Sequence, residues 1–174
     1  REVPESFYEE VRSIPGLGGL DLYRNAQIIY RGMPTYVSAV VASVLQKYTH
    51  FGWLKGGNEN WEPVKRGEII ISESFHRRFG VRAGDGITLD GIRGPVPLKV
   101  AAVFYDYTSE HGMIMMDRST YLRIFDDRTI NTLGIFVDAD HPRRQAILDE
   151  VKQRAIDRGL PVFTRDQLWR NILS

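Results

Sequence analysis

The side chains with the widest chemical repertoire are the four histidines, His50, His76, His111 and His141. A zinc site needs three or four converging ligands, and in sequence it is usually announced by a close ligand pair, such as two histidines one helical turn apart. No two of these histidines stand three or four residues apart, so the sequence starts no such site. Ser72-Glu73-Ser74 and Ser109-Glu110-His111 bring a hydroxyl beside an acid, and in the second case beside an imidazole. That is the raw material of a nucleophilic hydrolase. Neither stretch has the Gly-x-Ser-x-Gly elbow, and a triad is defined by geometry rather than by adjacency. Capping of a strand end and a solvated loop are the simpler readings. Gly16-Leu17-Gly18-Gly19-Leu20 follows a helical pattern and leads into an extended one, the reverse of the order in which amides converge on a phosphate. The carboxylate pairs Glu9-Glu10 and Asp126-Asp127 sit in polar, surface-like stretches. The expectation is a chain with no catalytic residue, no cofactor and no metal.

Contact chemistry is better represented. Residues 50–66 carry Phe51, Trp53 and Trp61 among Gly52, Gly56-Gly57, Asn58, Asn60 and Pro63. Glycine and asparagine punctuate turns, so the indoles either pin this loop to the body or line a groove. A second polar-aromatic stretch, Tyr105-Asp106-Tyr107-Thr108-Ser109-Glu110-His111-Gly112, joins two apolar runs. Trp53, Trp61, Tyr105, Asp106, Tyr107 and Glu110 are therefore the candidate residues for contact with a partner or ligand.

These stretches must be held by a scaffold, and the pattern of apolar residues predicts one. Phe7, Val11 and Ile14 share a face of a helix over residues 4–13, stopped by Pro15-Gly16. Residues 20–30 and 35–44 read as a hairpin about Arg31-Gly32-Met33-Pro34, with 44–48 open between loop and helical turn. Residues 68–72 form a short buried strand, and 73–79 a helix that Gly80 closes. Strands follow at 87–89, 98–105 and 113–116, with a loop at 90–95 longer than a two-residue hairpin. Asp117 or Ser119 caps a turn over 120–125, and 131–137 is a strand. Asp140 caps a helix over 141–158 whose stripe is Ile147, Leu148, Val151 and Ala155, with Gly159 at its end. A strand at 160–163 and a helix from Thr164 to Leu173 complete the order. The fold class expected is α+β, with an α/β subdomain of residues 1–50 and 126–174 and a β-rich subdomain of residues 51–125 inserted into it.

A length of 174 residues suits one ordinary core or two small ones. The formal charge of +1 gives no clustered basic excess for phosphate, so no nucleic-acid partner is expected. No segment approaches the roughly 18–20 apolar residues that cross a bilayer. Cysteine is absent, which excludes disulfides and thiolate sites and leaves the compartment open. The chain starts at Arg1 rather than Met, so a processed product or a piece of a longer protein is expected.

The stretch 67–125 carries a family resemblance. Glu68-Ile69-Ile70-Ile71-Ser72-Glu73-Ser74-Phe75 is followed by Gly80-Val81-Arg82-Ala83-Gly84-Asp85-Gly86-Ile87-Thr88-Leu89. Next come a strand ending in Asp106-Tyr107-Thr108-Ser109 and another ending in Asp117-Arg118-Ser119-Thr120-Tyr121. In this order they resemble the extracytoplasmic domain of FtsX-like, or MacB-type, ABC transporter permeases. Val11-Arg12-Ser13-Ile14-Pro15-Gly16-Leu17 is similar to the family's helix-to-strand passage. Asp106-Tyr107 followed by Asp117-Arg118 is most similar to the many-spanning permeases that carry two such domains. The resemblance implies a β-α-β porter-like frame with an inserted β-rich subdomain. It also implies a non-catalytic role at the outer, periplasmic face of the bacterial cytoplasmic membrane. The implied partners are a cytoplasmic ABC ATPase, reached through transmembrane helices outside this sequence, and a lipid, lipoprotein or peptide substrate or a periplasmic protein. The alternative is an extracytoplasmic ligand-binding or protein-interaction domain with no part in transport.

Overall fold

Ile69-Ile70-Ile71 and Met113-Ile114-Met115-Met116 are apolar at every position, and every one of these residues is buried. A strand reads this way when both of its faces are covered. In the computed structural model, which describes residues 2–106 and 110–161, these runs are the strands β3 (Ile69–Ser72) and β6 (Met113–Asp117). They sit in the middle of a seven-stranded sheet. The other strands are β1 (Gly19–Tyr30), β2 (Met33–Val40), β4 (Gly86–Gly91), β5 (Gly94–Phe104) and β7 (Thr132–Phe136). The spatial order is β4-β5-β3-β6-β2-β1-β7. The pairs β5–β3 and β6–β2 are parallel and the remaining four are antiparallel.

Successive side chains divide between the two faces. Ile69, Ile71, Ile114, Met116, Val37 and Ala39 meet Phe75, Tyr121 and Ile124 on one side. Phe75 belongs to helix α4 (Glu73–Phe79), and the other two to α5 (Arg118–Phe125). Ile70, Met113, Met115 and Phe104 meet Leu45, Trp61 and Val64 on the other, from α2 (Ala42–Tyr48) and α3 (Trp61–Lys65). A third cluster packs Phe7, Val11 and Ile14 against Leu20, Leu22, Ile147, Val151 and Ala155. It joins α1 (Glu5–Arg12) and α6 (Arg144–Asp157) to the start of β1. Glu10 reinforces this junction, accepting from Arg158 at 2.6 Å with Arg154 at 3.6 Å.

Local signals act as their chemistry predicts at several ends. Ser72 caps α4 by accepting from the Phe75 amide, and Asp117 caps α5 by accepting from Ser119. Gly80 closes α4 in the left-handed conformation, φ +66°.

Several boundaries differ from the sequence reading: the stretch 50–66 read as a loop ends in α3 (Trp61–Lys65), and the strand read from Leu98 begins at Gly94. The strand expected over 35–44 ends at Val40, and α2 begins at Ala42. Two distant carboxylates turn the chain there: Asp21 accepts from the Val41 amide at 2.7 Å and Asp117 from the Ala42 amide at 2.9 Å. The long loop expected over 90–95 is a two-residue turn, because Gly91 pairs with Gly94 and leaves Ile92-Arg93 at the tip. A side chain at Gly91 would come within 2.9 Å of the Ile124 carbonyl, so this close approach needs glycine. The helix expected from His141 begins at Arg144, without a side-chain cap from Asp140. The His141 ring takes the Arg143 amide instead, at 3.0 Å. The expected strand at 160–163 reaches beyond the described residues, and the closing helix from Thr164 lies wholly outside them.

Candidate functional site

Residues 51–61 wrap the end of β5. The stretch Gly52-Trp53-Leu54 runs antiparallel beside it: Tyr105 N–H donates to Gly52 at 2.8 Å, Leu54 N–H donates to Val103 at 2.9 Å, and Trp53 bridges Phe104. This covers a length of edge that β4 leaves bare, since β4 pairs with β5 only as far as Lys99. The loop is tied down at its far side by Asn58, whose amide donates to the carbonyls of Gln46 and Thr49 at 2.8 and 2.9 Å.

Beneath the loop lies an aromatic cluster. Phe51 contacts Trp53, Trp61 and Phe104 at centroid distances of 5.6, 5.2 and 5.5 Å. Trp53 and Trp61 meet edge to face at 5.8 Å and 80°, an arrangement favoured by the quadrupoles of the rings. Their indole nitrogens are buried with no hydrogen-bond partner among the described residues. Trp61 is completely buried, Trp53 half-buried.

The six candidate residues are therefore not equivalent. Trp61 backs the loop from inside and reaches no solvent. Trp53 and Asp106 are half-buried, whereas Tyr105 and Glu110 are exposed. Tyr107 lies outside the described residues. Trp53, Tyr105 and Asp106 all lie at the end of β5 but not on one face: Trp53 is paired with Phe104 and packs in its cluster, whereas Tyr105 stands over Gly52 on the other face. Sequence reasoning missed Leu54, which is 44% exposed beside Trp53. Its signal was an apolar residue directly before Lys55-Gly56-Gly57, a stretch with no core pattern.

The hydroxyls that suggested hydrolysis are structurally occupied. Ser72 Oγ accepts from the amides of Phe75 and Met113 and lies 3.0 Å from Ser74 Oγ. Ser109 lies outside the described residues. Among the described residues no three His, Asp or Glu side chains converge as metal ligands would.

The strongest electrostatic perturbations lie along β1. Burial pushes the Asp21 carboxyl up to about 7, opposed by its hydrogen bond from Val41 and assisted by nearby Asp117. Burial also raises Tyr23, which shares a 2.8 Å hydrogen bond with Ser38. Burial would raise Asp127 too, but bonds from Tyr121, Thr129 and Arg24 hold it well below the usual carboxylate range. The contacts are short, 2.7 Å from both Arg24 and Tyr121, and Tyr121 is pushed up to about 12. These groups fasten β1 to its neighbours.

The architecture is a mixed seven-stranded sheet with helices on both faces, and this fold is shared with the solved outer domains of two ABC-type transporters. The extracellular domain of YknZ, a noncanonic ABC-type transporter from Gram-positive bacteria, superposes with a TM-score of 0.57 at 10% identity, over 92% of this chain and 86% of that one. The periplasmic region of MacB from Actinobacillus actinomycetemcomitans gives a TM-score of 0.57 at 10% identity, over 96% of this chain and 81% of that one. In sequence, the chain is 28% identical over 124 residues to an uncharacterized ABC transporter permease protein, Rv0987, of Mycobacterium tuberculosis. The matched segment makes up 70% of this chain and 14% of that permease. No protein-family profile matches the chain. Fold and sequence similarity agree with the FtsX-like, MacB-type resemblance carried by the motifs of residues 67–125. No helix among the described residues is long and apolar enough to cross a membrane.

Proposed function

We propose that this chain is the extracytoplasmic domain of an ABC transporter permease and that it works by contact and movement rather than by catalysis. In this reading it stands outside the bacterial cytoplasmic membrane, joined to transmembrane helices. It couples ATP hydrolysis by a cytoplasmic ATPase to the handling of a lipid, lipoprotein or peptide substrate, or of a periplasmic protein. The observation that carries the reading is the 124-residue similarity to a permease, in a chain that folds like the outer domains of two ABC transporters. The contact surface assigned to this work is Trp53, Leu54, Tyr105, Asp106, Tyr107 and Glu110, with Trp61 as its support. We assign residues 1–50 and 126–174 to a porter-like unit and 51–125 to an inserted β-rich one. The cluster of Phe7, Leu20, Ile130 and Val151 draws on the first unit alone, whereas the other two clusters and the β2–β6 pairing join the two units.

The alternative, a binding domain without transport, draws on the same surface, where Leu54 and Tyr105 are large side chains left 44% and 37% exposed. The location is testable directly, because the chain has no cysteine. With Lys55→Cys as the single cysteine of the complete protein, any others having been replaced, a membrane-impermeant maleimide should label intact cells. Labelling only after lysis would contradict an extracytoplasmic domain. The complete gene should also encode apolar spans of about 20 residues outside this segment.

A further inference from the structure

Two strand edges face each other across an open groove of about 360 Å³. One wall is the tip of the β1–β2 hairpin, at Ile29, Tyr30 and Arg31, and the other is β4 from Gly86 to Asp90. The strand registers establish which backbone groups point into it. Arg31-Gly32 is a two-residue turn with Tyr30 opposite Met33, so Tyr30 and Ile28 exchange hydrogen bonds with β2. Ile29, Gln27 and Asn25 then aim their amides and carbonyls the other way. Asn25 verifies this phase, since its amide donates away from β2 to Asn131 Oδ1 at 2.7 Å. On β4, Gly91 lies opposite Gly94 across the turn, so Gly91, Leu89 and Ile87 bond to β5 while Thr88 and Asp90 face outward. The Val100 amide donating to Asp85 at 2.8 Å fixes the same phase. Among the described residues, the amides of Ile29, Thr88 and Asp90 have no backbone partner.

The opposite edge of this hairpin is treated differently. Pro95 and Pro97 lie across from Asp90 and Thr88, so their missing N–H groups fall on the side of β5 away from β4. On that side β3 pairs with β5 only from Val100 onward. Proline there blunts an edge that would otherwise recruit another strand. The β4 edge carries no proline and remains able to pair.

We propose that this groove receives an extended segment of a partner polypeptide, added as a strand between β4 and β1. An extended backbone presents donors and acceptors along both of its edges, so it can answer both walls together. A second copy of this chain would bring its own β4, one edge only, and leave the Ile29 row unanswered. The added strand would alternate side chains between the inner side, where Ile87, Leu89 and Tyr30 are buried in one core, and the solvent side beside Thr88 and Asp90. Apolar residues are expected at every second position. Ile29, 63% exposed at the lip of the groove, would gain cover. The inference rests on the reading of a partner-contacting domain, but its test addresses the groove alone, whereas coupling to ATP hydrolysis stands or falls on transport.

The test uses the ¹⁵N-labelled chain and three octapeptides in which valine alternates with threonine, lysine or glutamate. At least one peptide should shift the amides of Ile29, Thr88 and Asp90 saturably and slow their exchange with deuterium. N-methylation of alternate peptide bonds in that peptide should abolish both effects. Thr88→Pro, which removes an outward amide and leaves the bonds to β5 in place, should weaken binding about tenfold or more. Thr88→Val, which keeps the amide, should bind within about twofold of the parent. Absence of any shift at millimolar peptide overturns the proposal. So does protection of Thr88 and Asp90 that rises with protein concentration and needs no peptide, because the occupant would then be a second copy.

Discussion

β1 is one strand with two different halves. From Gly19 to Tyr23 it is paired with β7, and Leu20, Asp21, Leu22 and Tyr23 are all buried. From Arg24 to Tyr30 it is paired with β2, and its other edge runs past Asn131 to open at Ile29. The switch falls at Arg24, clamped by Asp127 at 2.7 Å and by Asn131 at 3.2 Å. β5 divides the same way: β4 covers its first half, and Gly52-Trp53-Leu54 closes its end. The contrast separates the edges this chain seals, where stability is concentrated, from the groove it leaves unsealed, where a partner has room. The two aspartates along β1 sharpen it. Asp21 is buried with a backbone amide for a partner and is pushed up to about 7. Asp127, partly exposed, has a guanidinium and a phenol and is held low.

The largest expected effect is at a sealed edge. Trp61→Ala removes the backing of the 52–54 cover and should destabilise the fold by about 3–5 kcal/mol, read by urea denaturation. A loss below about 1 kcal/mol would mean that the aromatic cluster does not hold the cover. The next effect concerns Asp21 and depends on pH. Its folded-state pKa lies above its unfolded value, so its contribution is fully present below about pH 4 and is lost as pH rises through about 7. Asp21→Asn should therefore match the parent near pH 4 and exceed it in stability above pH 8, by up to about 4 kcal/mol. Equal pH profiles for the two proteins would contradict a buried, poorly paired carboxyl. The smallest effect belongs to the open half. Ile29→Thr should change stability by less than about 0.5 kcal/mol, and a larger loss would show that Ile29 is sealed after all.

Much of this was legible in the sequence because the signals are local. Three β-branched isoleucines in a row, bounded by Gly67 and the cap Ser72, fit a short strand covered on both faces. Ser72, Asp117 and Gly80 end elements through bonds or dihedrals within a few residues of themselves. What was illegible depends on distant partners. Nothing near Val41 announces that Asp21 and Asp117, 20 and 75 residues away, will take the next two amides and convert the strand into α2. The turn at Ile92-Arg93 was hidden because Asp90-Gly91 gave the stronger local signal, while the packing of Gly91 under Ile124 set the register. The candidate surface was legible as residue types and not as roles. Trp61 and Trp53 look alike in sequence, and only their packing makes one a buried support and the other part of the surface. Leu54 had no pattern to mark it.

The central claim is that the aromatic surface transmits the work of an ATPase without chemistry of its own. It is tested most directly in vesicles holding the complete permease and its ATPase, comparing the parent with a triple variant, Leu54→Ala, Tyr105→Ala and Glu110→Ala. All three residues are exposed, so the domain should fold unchanged. The account predicts that basal ATP hydrolysis is retained within about twofold while transport, or stimulation by the partner, falls about tenfold or more, as when a few central contacts of an interface are removed. A triple variant that transports as well as the parent would contradict it.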